Sequence, residues 1–129
     1  MAVGQGCFPE VMPVPGFRLG TASAGIKTPG RKDLVLMEVV EGGTVAGVFT
    51  KNAFCAAPVQ LTKSHITSTP SRYLVTNTGN ANAGTGESGR KNAKAVCQAV
   101  AEVAGVTAEA VLPFSTGVIG EPLPVDKII

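Results

Sequence analysis

The chain has 129 residues, of which 44% are hydrophobic and only 16% are charged. This length and composition predict one domain, residues 1–129, and exclude an intrinsically disordered chain. The net charge is +2, and the basic residues are scattered, with no run longer than Arg31-Lys32, so neither a nucleic-acid footprint nor a polybasic membrane patch is visible. We therefore expect a small molecule or another protein as the partner.

The cysteines predict a reducing compartment. Cys7, Cys55 and Cys97 are odd in number and form no CxxC pair, which argues against a disulfide framework and against a zinc site. The carboxylates show no spacing typical of metal ligands, and we predict no metal. The first residues lack a basic start followed by an apolar stretch, and no apolar run reaches the roughly 18 residues that span a bilayer. These features predict a cytoplasmic protein.

The first half of the chain predicts extended structure. The stretch up to Gly30 is rich in proline and glycine, which is typical of extended chain and turns. Residues 33–40 and 44–50 are β-rich runs separated by Gly42-Gly43, and this pattern predicts an antiparallel hairpin. A third strand is predicted at Arg72–Thr76, and residues 77–86 are predicted to form a loop.

The second half contains the clearest predicted helix. Its apolar positions recur at helical spacing before a stop at Gly105, and they include Cys97, which we interpret as a packing residue. A short helical turn is predicted after Thr107, an apolar element broken by a small-residue bend over residues 111–120, and the start of a helix over residues 122–129. Strands interspersed with one strong helix predict an α/β or α+β layered architecture.

Residues Gly84 to Gly89 match the G-x-G-x-x-G pattern of nucleotide-binding loops. A dinucleotide site requires the first glycine at the end of a strand and an acidic residue at the tip of the next strand. Here a loop intervenes, and the acidic candidate about 20 residues further on, Glu109, lies in a predicted helical turn. A nucleotide- or metabolite-binding module is therefore a minor alternative.

The loop before this motif contains Asn77, Asn80 and Asn82. Asparagine side chains bond neighbouring backbone groups and their backbones tolerate left-handed turns, which predicts a tightly self-bonded loop. A pocket for a polar substrate, lined by the same amides, is an equal alternative.

The chain contains one histidine, His65, in a polar run that is typical of a solvated surface connection. A nucleophilic triad built within this chain is therefore not predicted. Cys55 lies in an alanine-rich apolar run, and we interpret it as a packing residue.

Ser115-Thr116-Gly117 is a second concentration of hydroxyl groups and glycine, set in apolar surroundings. A plain turn is one interpretation. The other is an oxyanion site for acyl transfer, in which backbone amides at a glycine and a nearby hydroxyl point at the developing negative charge. The residue types alone leave both open.

Six runs of residues resemble the ornithine acetyltransferase (glutamate N-acetyltransferase) family in sequence, order and spacing. The resemblance extends from about Pro15 to the end of the chain, and its two longest motifs make chance a poor explanation. The runs are Pro15–Phe17, Ala24–Lys27, Val45–Thr50, Ala56–Val59, Asn77–Gly86 and Ser115–Gly120.

The resemblance implies a precursor that cleaves itself before a threonine into an α chain and a β chain. The new N-terminal threonine of the β chain is then the nucleophile of a ping-pong acetyl transfer from N2-acetylornithine to glutamate in arginine biosynthesis. Some members also accept acetyl-CoA as a substrate, and no further cofactor is implied. The implied fold is a layered αββα sandwich shared with self-cleaving aminopeptidases, assembled as a heterotetramer of two α and two β chains.

The family motif Ser-Thr-Gly-Val-Ile-Gly places the oxyanion-hole residues at Thr116 and Gly117; the resemblance identifies no substrate-binding residues within this chain. Thr78 stands where the family more often has serine, a change that retains the hydroxyl. The cleavage sequence Lys-Gly-Ala-Thr-Met is absent from these residues, so we expect this chain to be the N-terminal portion of the α chain and inactive alone. A self-cleaving aminopeptidase of related fold is the enzymatic alternative.

Overall fold

The computed structural model describes residues 10–129, and Cys7 lies outside the described residues. The regular elements, in chain order, are strands β1 (Phe17–Ala22) and β2 (Leu34–Val39), helix α1 (Ala57–Ser68), strand β3 (Tyr73–Asn80), helix α2 (Gly86–Ala104) and strand β4 (Val111–Val118). Single 3-10 turns lie at Ala108–Ala110 and Val125–Lys127. The α/β class expected from the sequence is confirmed.

The four strands form one mixed sheet in the order β1-β2-β3-β4. The pairs β1–β2 and β2–β3 are antiparallel, whereas β3 and β4 are parallel. The parallel pair is connected through α2, which is the expected crossover between parallel strands. As a result β3 and β4 end at the same edge of the sheet.

The core lies between α2 and the sheet. The helix turns its small and apolar side chains, including Ala93, Val96 and Cys97, toward Val75 of β3 and Val111 of β4. Gly105 ends α2 in the left-handed conformation at φ 67°, as the sequence predicts. The predicted helix and its stop are thus confirmed.

Helix α1 lies along the free edge of β4. The hydroxyl of Thr62 donates to the carbonyl of Pro113 at 3.1 Å, and Nδ1 of His65 lies 2.8 Å from the carbonyl of Val111. Both side chains are buried. Two carbonyl groups of an edge strand, which would otherwise be open to pairing with another chain, are therefore satisfied by the helix.

The opposite face of the sheet exposes large apolar side chains. Phe17 and Leu19 of β1 are 39% and 59% exposed, and Phe114 of β4 is 41% exposed. Within residues 10–129 no helix is both long and apolar enough to cross a membrane.

The hairpin predicted between residues 33–40 and 44–50 is wrong. Residues 44–50 form no strand, because both edges of β2 are already occupied, by β1 and by β3. The β1 strand lies inside the proline- and glycine-rich opening stretch, which was predicted as extended chain and turns without a defined strand. Residues 33–40 do contain the predicted strand.

The interpretation of His65 as a solvated surface residue is also wrong. His65 lies in α1 and is 6% exposed. The apolar periodicity of this helix is concealed because two of its buried positions, Thr62 and His65, are polar. Similarly, β3 continues to Asn80, so residues 77–80, predicted as loop, belong to the strand.

Candidate active site

Thr116 and Gly117 lie near the end of β4, directly opposite Thr78 and Gly79 of β3. Both candidate residues are exposed. The segment is therefore a strand end open to solvent, not the plain turn that was one of the two interpretations. The bend predicted at the small residues does not interrupt the strand, because β4 continues through them to Val118 with Gly117 at a φ of 137°.

Gly117 approaches the neighbouring strand so closely that no side chain fits. A β-carbon at this position would lie 2.5 Å from the backbone nitrogen of Asn80 and 2.7 Å from the carbonyl oxygen of Gly79. The pairing of β3 and β4 is irregular at the same point, between Gly79 and Asn80. The conformation required at Gly117, and its close contact with backbone, explain why the motif needs glycine.

Asn77 and Asn80 fix the end of β3. Asn77 donates its side-chain amide to the carbonyl of Asn80 at 2.8 Å and accepts the hydroxyl of Ser115 at 2.6 Å. The amide of Asn80 donates to the carbonyls of Glu121 and Pro122, each at 3.1 Å. The two buried side chains therefore join β3 to β4 and to the segment that follows β4.

Asn82 fixes the start of α2. It has a positive φ of 46°, donates its amide to the carbonyl of Gly89 at 2.9 Å and accepts the hydroxyl of Thr85 at 2.9 Å. Its backbone nitrogen donates to Oδ1 of Asn80 at 2.8 Å. The self-bonded interpretation of Asn77, Asn80 and Asn82 accounts for all three side chains.

The glycine at the end of the G-x-G-x-x-G pattern has a packing role. A β-carbon on Gly89 would lie 2.6 Å from Oδ1 of Asn82, so glycine is required for the helix to pack on the asparagine. The Asn82 side chain, bonded to Gly89 and Thr85, packs against the first turn of α2. The pattern is thereby explained without a nucleotide.

Asp33 holds a second segment against the end of β3. It is 4% exposed, and its two carboxylate oxygens accept the backbone amides of Ala24 and Ile26, each at 2.7 Å. Burial raises the pKa of this carboxyl, but the backbone hydrogen bonds, first that of Ile26, outweigh burial and leave the pKa below its ordinary value. Asp33 is therefore an ionised anchor at neutral pH.

The anchored segment borders a hollow of about 350 Å³ beside the candidate oxyanion residues. Its lining includes Ile26 and Lys27 of the segment, Gly79 and Asn80 of β3, and Glu121. Sequence reasoning did not identify Asp33 or its segment as part of the site. The signal was present in the run Ala24–Lys27, one of the six that carry the resemblance.

The remaining candidates lie elsewhere. Cys97 is fully buried in the core, and burial raises the pKa of its thiol to about 12, which confirms a packing role. Cys55 is half-buried at the start of α1. Within residues 10–129, no three His, Cys, Asp or Glu side chains come close enough together to hold a metal ion.

The comparison with protein families decides the relationship, because the ArgJ family model matches residues 18–129. The chain belongs to the ArgJ family. It is 66% identical over 128 residues to the arginine biosynthesis bifunctional protein ArgJ of Pseudomonas syringae pv. tomato and 63% identical over 128 residues to that of Pseudomonas fluorescens. Each alignment covers 99% of this chain and 31% of the relative, so the chain spans about a third of the length of these relatives.

Solved structures from the ArgJ family show the same fold. An ornithine acetyltransferase from Mycobacterium tuberculosis, complexed with ornithine, superimposes with a TM-score of 0.84 at 39% identity, covering 88% of this chain and 62% of that chain. The arginine biosynthesis bifunctional protein ArgJ of Bacillus halodurans gives 0.83 at 35% identity, covering 88% and 60%. The four-stranded sheet with its helices is thus part of the ArgJ fold, as the resemblance implies.

Proposed function

We propose that this chain contributes the oxyanion-stabilising strand of a cytoplasmic ornithine acetyltransferase of arginine biosynthesis. The proposed reaction moves an acetyl group from N2-acetylornithine to glutamate. It proceeds through an acetylated N-terminal threonine on a β chain that lies outside these residues. Acetyl-CoA is the second acetyl donor we propose to test, since the similar Pseudomonas proteins are named bifunctional.

The observation that carries the proposal is the exposed, closely paired strand end at Thr116 and Gly117. Attack on the acetyl carbonyl converts its oxygen to an oxyanion, and fixed hydrogen-bond donors at that oxygen stabilise the transition state. The Thr116 side chain is exposed at this strand end. The hydroxyl is therefore available to a substrate at a position that β3 and β4 hold rigid.

The proposed reaction is divided between two chains. This chain supplies the donors for the oxyanion, while the β chain supplies the nucleophile, and a heterotetramer of two α and two β chains is the proposed assembly. The proposed reaction uses neither a metal nor an organic cofactor. The chain expressed alone is expected to be inactive.

The test uses the complete reading frame that contains this chain. The product is examined for cleavage into two chains and then assayed for transfer of acetyl from N2-acetylornithine to glutamate, with and without the substitution Thr116→Ala. Loss of one oxyanion donor is expected to lower kcat by about 100- to 1000-fold, with little change in KM.

The matched control is Thr21→Ala, because Thr21 is an exposed threonine on β1, at the opposite edge of the same sheet. This control should cleave and transfer acetyl at the rate of the unaltered protein. Transfer by Thr116→Ala at an undiminished rate would refute the oxyanion role. Release of free acetate without transfer to glutamate would favour the aminopeptidase-like alternative.

A further inference from the structure

We propose that Asp33 is a positioning residue for acetyl transfer, acting through the segment Ala24–Lys27 and Gly79 on the oxyanion strand. The inference rests on the proposed function, because it assigns Asp33 a role in placing Thr116 and Gly117. Asp33 touches no substrate in this scheme.

The first link is the carboxylate itself. Its two oxygens each accept one backbone amide, from Ala24 and from Ile26, at 2.7 Å. Bonds to a charged acceptor are stronger than neutral ones, and two of them define both the position and the orientation of the segment. The segment is further tied by Lys127, whose ammonium group donates to the carbonyl of Gly25 at 2.9 Å.

The second link is the contact between this segment and Gly79. A β-carbon on Gly79 would lie 3.0 Å from Cβ of Lys27 and 3.2 Å from Cγ2 of Ile26. On its other side Gly79 faces Gly117, where backbone meets backbone. Gly79 is thus clamped between the anchored segment and the oxyanion strand, so a displacement of the segment is transmitted to Gly117.

The third link runs through the backbone of Asp33. Its carbonyl accepts the backbone amide of Thr78 at 2.8 Å, and Thr78 lies directly opposite Thr116 in the β3–β4 register. One residue therefore fixes both neighbours of the oxyanion pair, Thr78 through its main chain and Gly79 through its side chain. An ionised buried carboxylate with every oxygen bonded to backbone is a rigid connection of the kind that supports a catalytic site.

The experiment introduces Asp33→Asn into the complete protein. Asparagine retains one acceptor oxygen but presents an NH2 group to one of the two amides, so the segment loosens without a change in side-chain volume. Small displacements of positioning groups lower kcat, and we expect a loss of about 10- to 100-fold with KM unchanged. The control is Glu38→Gln, which removes a carboxylate from β2, the strand that begins directly after Asp33. Glu38 pairs with Arg18 and Arg72 at the Tyr73 end of β3, so this variant should keep the kcat of the unaltered protein.

A role that is merely structural is distinguished by repeating the substitution in the Thr116→Ala background. If Asp33 acts through the oxyanion strand, Asp33→Asn lowers kcat in the unaltered protein but has a clearly smaller additional effect when Thr116 is already alanine, because only the Gly117 donor is then left to position. Equal losses in both backgrounds, or a lowered melting temperature with normal kcat, would overturn the inference while leaving the proposed function intact. An unimpaired Thr116→Ala protein would instead refute the proposed function itself.

A second variant keeps the test decisive if Asp33→Asn does not fold. Lys127→Ala removes an exposed side chain that ties the same segment from outside, and it should fold normally. Since a single exposed contact is weak, we expect a loss in kcat of only about two- to threefold, again smaller in the Thr116→Ala background. A Lys127→Ala protein with unchanged kcat would count against the segment as a positioning element.

Discussion

Ser115 donates its hydroxyl hydrogen to Oδ1 of Asn77 at 2.6 Å, and the two residues are direct partners in the parallel β3–β4 register. Asn77 uses its amide group for the carbonyl of Asn80. One buried side chain therefore connects the neighbouring strand and the end of its own strand. The residue that precedes Thr116 is consequently fixed from the side on which the helices pack.

This relationship predicts unequal costs for the two partners. Ser115→Ala removes one hydrogen bond and should lower the free energy of unfolding by about 1 kcal/mol, whereas Asn77→Ala also leaves the Asn80 carbonyl unpaired and should cost about 2–3 kcal/mol. Thermal or denaturant unfolding of the complete protein measures both. Because the variants share one bond, the double variant should cost less than the sum. Strict additivity would show that the bond contributes nothing to stability.

Gly117 and Gly120 offer a matched pair of glycine substitutions. Gly117→Ala places a methyl group against the backbone of Gly79 and Asn80, which only a shift of one strand can relieve, so we expect little folded protein. Gly120 also has a positive φ, 83°, but its β-carbon would meet no atom within 4 Å. Gly120→Ala should therefore cost only about 1–2 kcal/mol of backbone strain.

Soluble yield and melting temperature distinguish these two glycines. Both glycines have a positive φ, but only Gly117 lies against the backbone of the neighbouring strand. The difference between the two variants therefore measures the cost of the steric contact apart from the cost of the backbone conformation. A Gly117→Ala protein as stable as Gly120→Ala would mean that β3 and β4 are not held at the separation described here.

The sequence predicts α2 well because its determinants are local. The apolar stripe repeats at helical spacing and Gly105 supplies the left-handed stop, so no distant contact is needed to define the element. Helix α1 was missed for the opposite reason. Thr62 and His65 are buried because they bond carbonyls of β4, and a partner more than 40 residues away leaves no periodic signal.

The strands and the site likewise divide into features with local signals, which the sequence predicts, and features set by distant contacts, which it does not. The composition of residues 33–40 is enough to predict β2. Its partner β1 lies on the other side of the segment that Asp33 anchors, and the β-rich run that follows it, residues 44–50, forms no strand. Thr116 and Gly117 were identified through a family resemblance, since a small-residue bend has no chemistry of its own. Asp33 was missed because its role depends on two backbone amides, which no residue type reveals.

His65 provides a test of the structural role that replaces its predicted surface position. Its carbonyl partner can only accept, so Nδ1 carries the proton that it donates to Val111. His65→Leu leaves that buried carbonyl only the long contact from Sγ of Cys97 at 3.6 Å and should lower the free energy of unfolding by about 1–2 kcal/mol. The turnover number of the folded protein should not change, because His65 bonds Val111 at the start of β4, whereas Thr116 lies near the end of that strand.

The control for His65 is Thr67→Ala on the same helix, where an exposed hydroxyl bonds only carbonyls of α1 itself. This variant should remain within about 0.5 kcal/mol of the unaltered protein. A His65→Leu protein that unfolds normally but transfers acetyl slowly would identify His65, the one histidine of the chain, as a participant in the chemistry.

Cys97 predicts a dependence of stability on alkaline pH. Burial, with a smaller contribution from the charge of Glu109, raises the pKa of the thiol from 9.0 to about 12 in the folded protein. The folded state therefore keeps its proton where the unfolded state loses it, so the stabilisation is complete below pH 9 and is lost as the pH rises from 9 toward 12. In this window the free energy of unfolding of the unaltered protein should fall by about 1.4 kcal/mol per pH unit relative to that of Cys97→Ala, which has no thiol to titrate.

Unfolding of both proteins at several pH values measures this difference. Cys97 of the folded protein should also resist alkylation at pH 8, because the species that attacks the reagent is the thiolate. Parallel pH profiles for the two proteins, or rapid labelling of Cys97 before unfolding, would show that the thiol is not enclosed by α2 and the sheet.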